Sequence, residues 1–409
     1  MENARRNVLI LTGLLLGLGL VMVYSASFVT ADYKLNKSTF FLERHGIYLL
    51  AGCFALAIGS LWDYHHLARR WPWLLALSFI VLAAVLVPGL GQKLNGARRW
   101  FSLGGMTFQP SELAKPLMIV AISAWAVTRR EKIKTFKEGF LPGAGLALSA
   151  VMLIALEPDL GNAGLMILTL GSILYVAGVQ LRHALPTMLI GAPVALLVAW
   201  SKLGYVQSRI AEFFSGKTDP LGRGYQVTQG LIAQGSGGIF GVGLGQGQSK
   251  LLFLPEPHND FIMALIGEEL GLIGSCAVLL IFCLLIWQGY TIARRAPDRL
   301  GGLIALGVTL MIGLQAAINT AVVTRSMPTK GISLPLISYG GSSLIFTLFA
   351  LGMLLNVAAH PSSEENTSKE KSSASPEPKP EAEPKVIAAA EPVLVPAVAL
   401  QAEPKLIPN

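Results

Sequence analysis

LPEPHNDFIMALIGEELGLIGSCAVLLIFCLLIWQ, residues 254–288, passes from a short polar approach into an apolar run longer than the roughly 20 residues that cross the hydrocarbon of a bilayer. Hydrocarbon offers backbone groups no partners, so such a run must be a helix that satisfies its own N–H and C=O groups. Asp260 stands where the polar approach meets that helix. An ionisable side chain is expensive at this position and is a functional candidate in its own right. Pro255 and Pro257 fix their own backbone angles and push the residues before them toward extended conformations. The approach is thereby stiffened, and a stiff approach can aim His258 and Asp260.

Nine further runs of spanning length flank this one, giving 8–28, 46–62, 71–88, 113–128, 140–156, 161–179, 184–203, 260–288, 301–324 and 339–358. The chain is therefore predicted to be an all-α polytopic integral membrane protein of about ten transmembrane helices, with a large extracytoplasmic loop, 204–259, between the seventh and eighth. Composition agrees: of 409 residues 53% are hydrophobic and 14% charged, with mean hydropathy +0.57, against roughly 25% charged in a soluble domain. Arg5 and Arg6 resemble the basic flank of a leader, but the run that follows is too long and lacks a small-residue cleavage site, so it reads as a first span. Residues 1–360 form one membrane domain. From Pro361 onward nine of the chain's 23 prolines fall among Ser, Ala, Lys and Glu, the composition of a disordered tail. Cys53, Cys276 and Cys283 all lie in apolar runs and are expected to be small buried hydrophobes, with no disulfide or metal site implied.

The formal charge of +8 conceals a split, because the last 49 residues carry five Lys and eight Glu and leave about +11 on the membrane part. That balance suits anionic lipid and phosphate-bearing ligands, and nothing in the pattern suits nucleic acid. With Met1 inside, the inner segments carry thirteen Lys and Arg in about 46 residues and the outer ones about twelve in roughly 118. The bias places both termini in the cytoplasm. It gathers the loops 88–112, 204–259 and 325–338 with Asp260 on the outer face. Lys93, Arg98, Arg99, Arg209, Lys250, Arg325 and Lys330 are cations on the unfavourable side, and a pyrophosphate ligand would explain them.

Other polar groups converge on the same face. In QPSELAKP, 109–116, Ser111 can cap a helix, and Glu112 and Lys115 share one helical face as either an internal ion pair or substrate contacts. Glu157-Pro158-Asp159 sits in a short turn between two spans. Glu268 and Glu269 enter the eighth span, where helix-packing and catalytic readings both stand. The glycine run 237–247 lacks the strand-turn-helix setting and GK[ST] ending of a phosphate loop, so a tight re-entrant or interfacial turn is expected instead. PTKGISLPLISYGGSS, 328–343, interrupts apolar sequence with prolines, glycines and hydroxyls, a pattern a membrane tolerates where backbone lines a cavity or is buried in protein. His65-His66, beside Arg69 and Arg70, reads as a solvated or headgroup-facing pair rather than a metal site.

These stretches carry a resemblance. NGARRW at 95–100, QPSELAK at 109–115, EPDLG at 157–161, GYQVTQGLIAQGSGGIFGVGLGQG at 224–247, LPEPHNDFI at 254–262 with EELG at 268–271, and PTKGISLPLISYGGSSL at 328–344 are similar, in order, to the SEDS (shape, elongation, division and sporulation) family over roughly residues 8–358. The lysine in PTKG resembles the septal-division branch more than the elongation branch. The resemblance implies a peptidoglycan glycosyltransferase of the bacterial cytoplasmic membrane, at the division septum, that polymerises lipid II on the outer face with inversion at the anomeric carbon. Its essential aspartate falls on Asp260, which is expected to act as general base. Arg98, Glu112, Lys115, Arg209, Glu256, His258, Lys330 and Ser338 are the expected substrate contacts, with no protein metal site. A divalent cation, Mg or Mn, is admitted alongside the pyrophosphate. A class B penicillin-binding transpeptidase, FtsI-like, and other division proteins are the implied partners. Asn259 stands where the family usually has Thr, and Pro257 where it often has Ala, which alters the hydrogen bonds around the site but not the carboxylate. A flippase for the same lipid precursor would want a similar bundle, but Asp260 near the surface favours chemistry over transport.

Overall fold

The structure is a computed structural model that describes residues 1–94, 97–104, 106–187, 189, 207, 225–251, 254, 257–328 and 331–360. Its helices are α1 (Glu2–Leu35), α2 (Phe40–Leu61), the short α3 (Tyr64–Arg69), α4 (Trp71–Leu86), α5 (Pro110–Thr128), α6 (Leu141–Leu156), α7 (Leu160–Val176), α8 (Tyr225–Ser236), α9 (Ile262–Arg294), α10 (Arg299–Val323) and α11 (Gly341–Ala359). Among the described residues seven are long and apolar enough to cross a membrane: α1, α2, α5, α6 with the π turn Phe136–Phe140 before it, α9, α10 and α11. α4 and α7 are apolar but shorter, at 16 and 17 residues. The run expected at 184–203 lies almost wholly outside the described residues. α4 stops because Pro88 disfavours helical backbone at Val87, which is extended at ψ 125°.

Burial ranks the helices. The apolar window of α5 is 83% buried while that of α2 is 17% buried, so α5 runs through the bundle and α2 faces lipid. α2 packs on α11 through Gly59 and Gly352, where a methyl group would fall 2.5 Å from Phe349 O and 2.3 Å from Leu56 O respectively. Small residues of this kind let helix backbones approach where water supplies no drive for association.

The 88–112 loop carries a three-stranded antiparallel sheet, β1 (Gln92–Leu94), β2 (Ala97–Leu103) and β3 (Met106–Phe108), beside the helical body. Three expectations are corrected. The cysteines are exposed, because each falls on an outward face of α2 or α9. Ser111 does not cap α5, which starts one residue earlier at Pro110 with Gln109 as N-cap. Lys250, grouped above with phosphate-facing cations, is buried. Its Nζ lies 2.7 Å from Glu269 Oε1 and 3.1 Å from Ser25 Oγ, over the ring of Phe28.

The eighth span is also broken, at Gly271, whose φ of 69° and ψ of −165° leave the helical region. Glycine alone adopts such backbone without strain. The break orphans backbone groups that a membrane cannot hydrate, and the glycine run supplies the partners. Val242 N–H and Gly243 N–H donate to the carbonyls of Glu268 and Glu269, while Leu272 N–H and Ile273 N–H donate to Gly238 O and Ile239 O. The two carboxylates anchor the same loop. Glu268 accepts from Gln248 N–H and Ser249 N–H, and Glu269 accepts from Ser25 Oγ, Gly245 N–H and Lys250. The tight turn expected of 237–247 is therefore a clamp on a broken helix.

Candidate functional site

The segment 331–340 organises one end of the bundle. Proline and glycine prevent it from continuing a helix, and α10 holds it instead through two amides four residues apart, which therefore share one helical face. Asn319 Nδ2 donates to Ile332 O at 2.7 Å and to Asp260 O at 2.9 Å, and Gln315 Nε2 donates to Ser333 O at 3.0 Å. One side chain thus fixes the backbone of both the 257–261 turn and the 331–340 segment. At Gly331 a methyl group would sit 2.7 Å from Asp260 Oδ2. The glycine lets the chain pass directly against the carboxylate, and Asp260 is half-buried there.

The other contacts lock this juxtaposition. Tyr339 N–H donates to His258 O at 2.9 Å. The buried His258 ring lies 4.6 Å from Phe41 and 5.5 Å from Tyr339, tying the turn to the first turn of α2. Burial pushes the Tyr339 hydroxyl up to about 12. Lys115 Nζ binds Glu112 Oε1 at 2.8 Å and Gln315 Oε1 at 3.2 Å, so the Glu112–Lys115 pair is an internal ion pair joined to the 331–340 segment through Gln315. Ser338 is buried, and its Oγ accepts from Leu334 N–H at 2.8 Å. It staples the segment into a turn.

The 157–159 turn abuts the same place. Gly161 packs so closely on Ile332 that a methyl group would fall 2.7 Å from its Cγ1. Asp159 caps α7 by accepting from Asn162 N–H and also accepts from Gln109 Nε2. Glu157 is fully buried, and burial first, then the nearby Asp159 charge, push its carboxyl up to about 9, against the pull of Arg99. Arg99 donates to the carbonyls of Glu157 and Pro158. Successive strand residues point to opposite faces, so Arg98 on β2 points away from that turn. β3 reaches α11 through Phe108 and Phe346, whose rings lie 5.7 Å apart.

Asp260, His258, Ser338 and the Glu112–Lys115 pair are thus drawn to one segment, and Arg98 lies on the sheet at the same end. Arg209, Glu256 and Lys330 fall outside the described residues. Asn319, Gln315 and Gln109 were not singled out as contacts from sequence, and Arg99, grouped there with phosphate-facing cations, binds the Glu157 and Pro158 carbonyls instead. Two amides at helical spacing in the apolar run 301–324 are the signal that would have found the first two. Among the described residues the metal-type ligands that converge are Asp63, His65 and His360, at the other end of the helices.

The family described as cell cycle proteins, FTSW_RODA_SPOVE, matches residues 5–363. The chain is 41% identical to stage V sporulation protein E of Bacillus subtilis, over 86% of this chain and 96% of that protein. It is 40% identical to the probable peptidoglycan glycosyltransferase FtsW of Geobacter metallireducens, over 83% and 90%. Among solved structures it is similar to the rod shape determining protein RodA of Thermus thermophilus, with 28% identity and a TM-score of 0.63 over 86% of this chain and 95% of that one. It is also similar to a chain from a peptidoglycan synthase complex studied for coordination of polymerization and crosslinking, with 29% identity and a TM-score of 0.71 over 86% and 96%. With these motifs meeting at one end of a multi-pass helical bundle, the chain belongs to the FtsW/RodA/SpoVE family of cell cycle proteins.

Proposed function

We infer that this protein is a peptidoglycan glycosyltransferase that polymerises lipid II into glycan strands, with Asp260 as its general base. The observation that carries the reading is Asp260, half-buried just before α9 and held against Gly331 by the Asn319 amide. Relatives about 40% identical over most of the chain carry the name probable peptidoglycan glycosyltransferase FtsW.

In the reaction Asp260 takes the proton of the 4-hydroxyl of the acceptor sugar as that oxygen attacks the anomeric carbon of the donor. The new C–O bond forms on the face opposite the departing pyrophosphate, so an α link becomes β. The old C–O bond breaks and its electron pair leaves with the lipid pyrophosphate. Negative charge grows on that leaving group, and Arg98, Arg209 and Lys330 are the cations proposed from the sequence to offset it, a contribution that is commonly the largest in such chemistry. Lys115 is engaged with Glu112 and Gln315 and acts on the site by fixing the 331–340 segment. A magnesium or manganese ion brought in with the pyrophosphate would take its ligands from substrate, water and at most one or two carboxylates here.

The division septum is the proposed setting, with both termini in the cytoplasm, and a class B penicillin-binding transpeptidase as partner. The structural likeness to a chain of a peptidoglycan synthase complex supports the partner. The test is lipid II polymerisation by the purified protein with its transpeptidase, comparing wild type with Asp260→Asn and resolving glycan chains on a gel. Loss of chains from a variant that still forms the complex is expected. Chains at the wild-type rate would remove Asp260 as the base.

A further inference from the structure

The end of the bundle away from Asp260 carries a second constellation. α2 begins at Phe40, beside His258, and runs out to Leu61, so Asp63 lies at its far end. α11 begins beside Tyr339 and ends at Ala359, which puts His360 at the far end as well. α10 starts there too, with Asp298 as its N-cap accepting from Gly301 N–H at 2.8 Å. Three helices that define the catalytic end therefore meet again at Asp63, His65, Asp298 and His360.

The hydrogen bonds determine how the two imidazoles are oriented. His360 Nδ1 lies 2.9 Å from Asn356 O, which can only accept, so Nδ1 carries the proton. Its Nε2 then faces Asp63 Oδ1 at 3.8 Å. His65 bridges two carboxylates, with Nε2 3.1 Å from Asp298 Oδ2 and Nδ1 2.8 Å from Asp63 Oδ1. One nitrogen of each imidazole and a carboxylate oxygen thus converge, all within 4.8 Å of one another. A divalent cation among them would take the place of the protons these nitrogens share with Asp63. The outer partners, a backbone carbonyl on one imidazole and a carboxylate on the other, are those that orient metal-binding histidines.

We propose that Asp63, His65 and His360 form a binding site for a zinc-class divalent ion. Mixed imidazole and carboxylate donors suit zinc, whereas magnesium and calcium prefer oxygen alone. Donors about 2.1 Å from a tetrahedral ion stand roughly 3.4 Å apart, so the present spacing closes with movements of about 1 Å. The side chains are between 33% and 38% exposed, enough to admit an ion and to move. Three protein ligands leave a fourth position for water. His66, 64% exposed with Nδ1 3.4 Å from Asp63 Oδ2, keeps the solvated position expected of it, while His65 does not. An ion here would tie the α2–α3 junction to the last residue before the tail.

The test uses the full-length protein purified without a polyhistidine tag, stripped with chelator and titrated with zinc against a competing indicator. One saturable equivalent is expected. His360→Gln, at a helix end where folding is not at stake, and Asp63→Asn should each weaken binding by about 100-fold or more, as removal of a direct ligand exceeds the 10- to 100-fold loss typical of an outer partner. His183→Ala, a control histidine elsewhere, should leave it unchanged. Cobalt in place of zinc should give the visible bands of a four-coordinate ion in the wild type and not in His360→Gln. No saturable equivalent, or one unaltered by both substitutions, would overturn the site and leave the cluster as a proton-sharing network.

Discussion

Replacing Lys250 with methionine tests whether the glycine run is a structural clamp. The lysine is 2% exposed and its Nζ lies 2.7 Å from Glu269 Oε1. Methionine fills most of the space but leaves a buried carboxylate without its cation. Breaking a buried pair on one side costs about 3–5 kcal/mol. Glu269 would still accept from Ser25 Oγ and Gly245 N–H, so the lower end, about 3 kcal/mol, applies. The double variant Lys250→Met/Glu269→Gln removes both charges and keeps an amide that can bond Ser25 and Gly245, so its cost should fall to about 1 kcal/mol. At roughly 2 °C per kcal/mol for a chain of this size, thermal unfolding in detergent should drop about 6 °C for the single variant and about 2 °C for the double. Limited proteolysis should cut within 237–250 faster in the single variant. A single variant as stable as wild type, or a double no better than the single, would refute the clamp.

Three further outcomes follow from the site. Gly331→Ala should depress polymerisation far more than thermal stability, because a methyl group 2.7 Å from Asp260 Oδ2 displaces the carboxylate while the segment keeps its other bonds; glycan chains on a gel and a melting curve separate the two effects. Glu157→Gln should stabilise the protein at pH 8 and lose that advantage by pH 5. The raised native value near 9 means the wild type is favoured below about 4.5 and loses stability as pH rises toward 9, about 3 kcal/mol of it by pH 7, and the difference in melting temperature between the two pH values measures this. Asn319→Leu strands two buried carbonyls, Asp260 O and Ile332 O, and should cost about 1–3 kcal/mol each at most while lowering polymerisation; faster hydrogen exchange in 257–261 and 331–340 would report the loosened segments.

Much of the architecture was legible because lipid imposes simple rules. Run length marked most of the described spans. The sheet over 92–108 was not legible, since its strands are of three and seven residues and alternate too briefly to show a period. Asp260 stood out as an ionisable group at a membrane edge. Lys250 misled, because a cation on an outer loop reads the same whether it meets a phosphate or a buried glutamate 19 residues along the chain.

The sequence by itself determined that the chain is a multi-pass helical bundle and where most of its long helices lie, since apolar length and charge are local properties that hydrocarbon reads directly. Only the tertiary structure decided which polar groups are partners. Asn319 reaches Asp260 59 residues away, Ser25 reaches Glu269 244 residues away, and His360 comes to Asp63 from the other end of the chain. Such pairings depend on how helices pack, and a side chain inside a bundle is neutral filler or a fixed contact according to what its neighbouring helix presents.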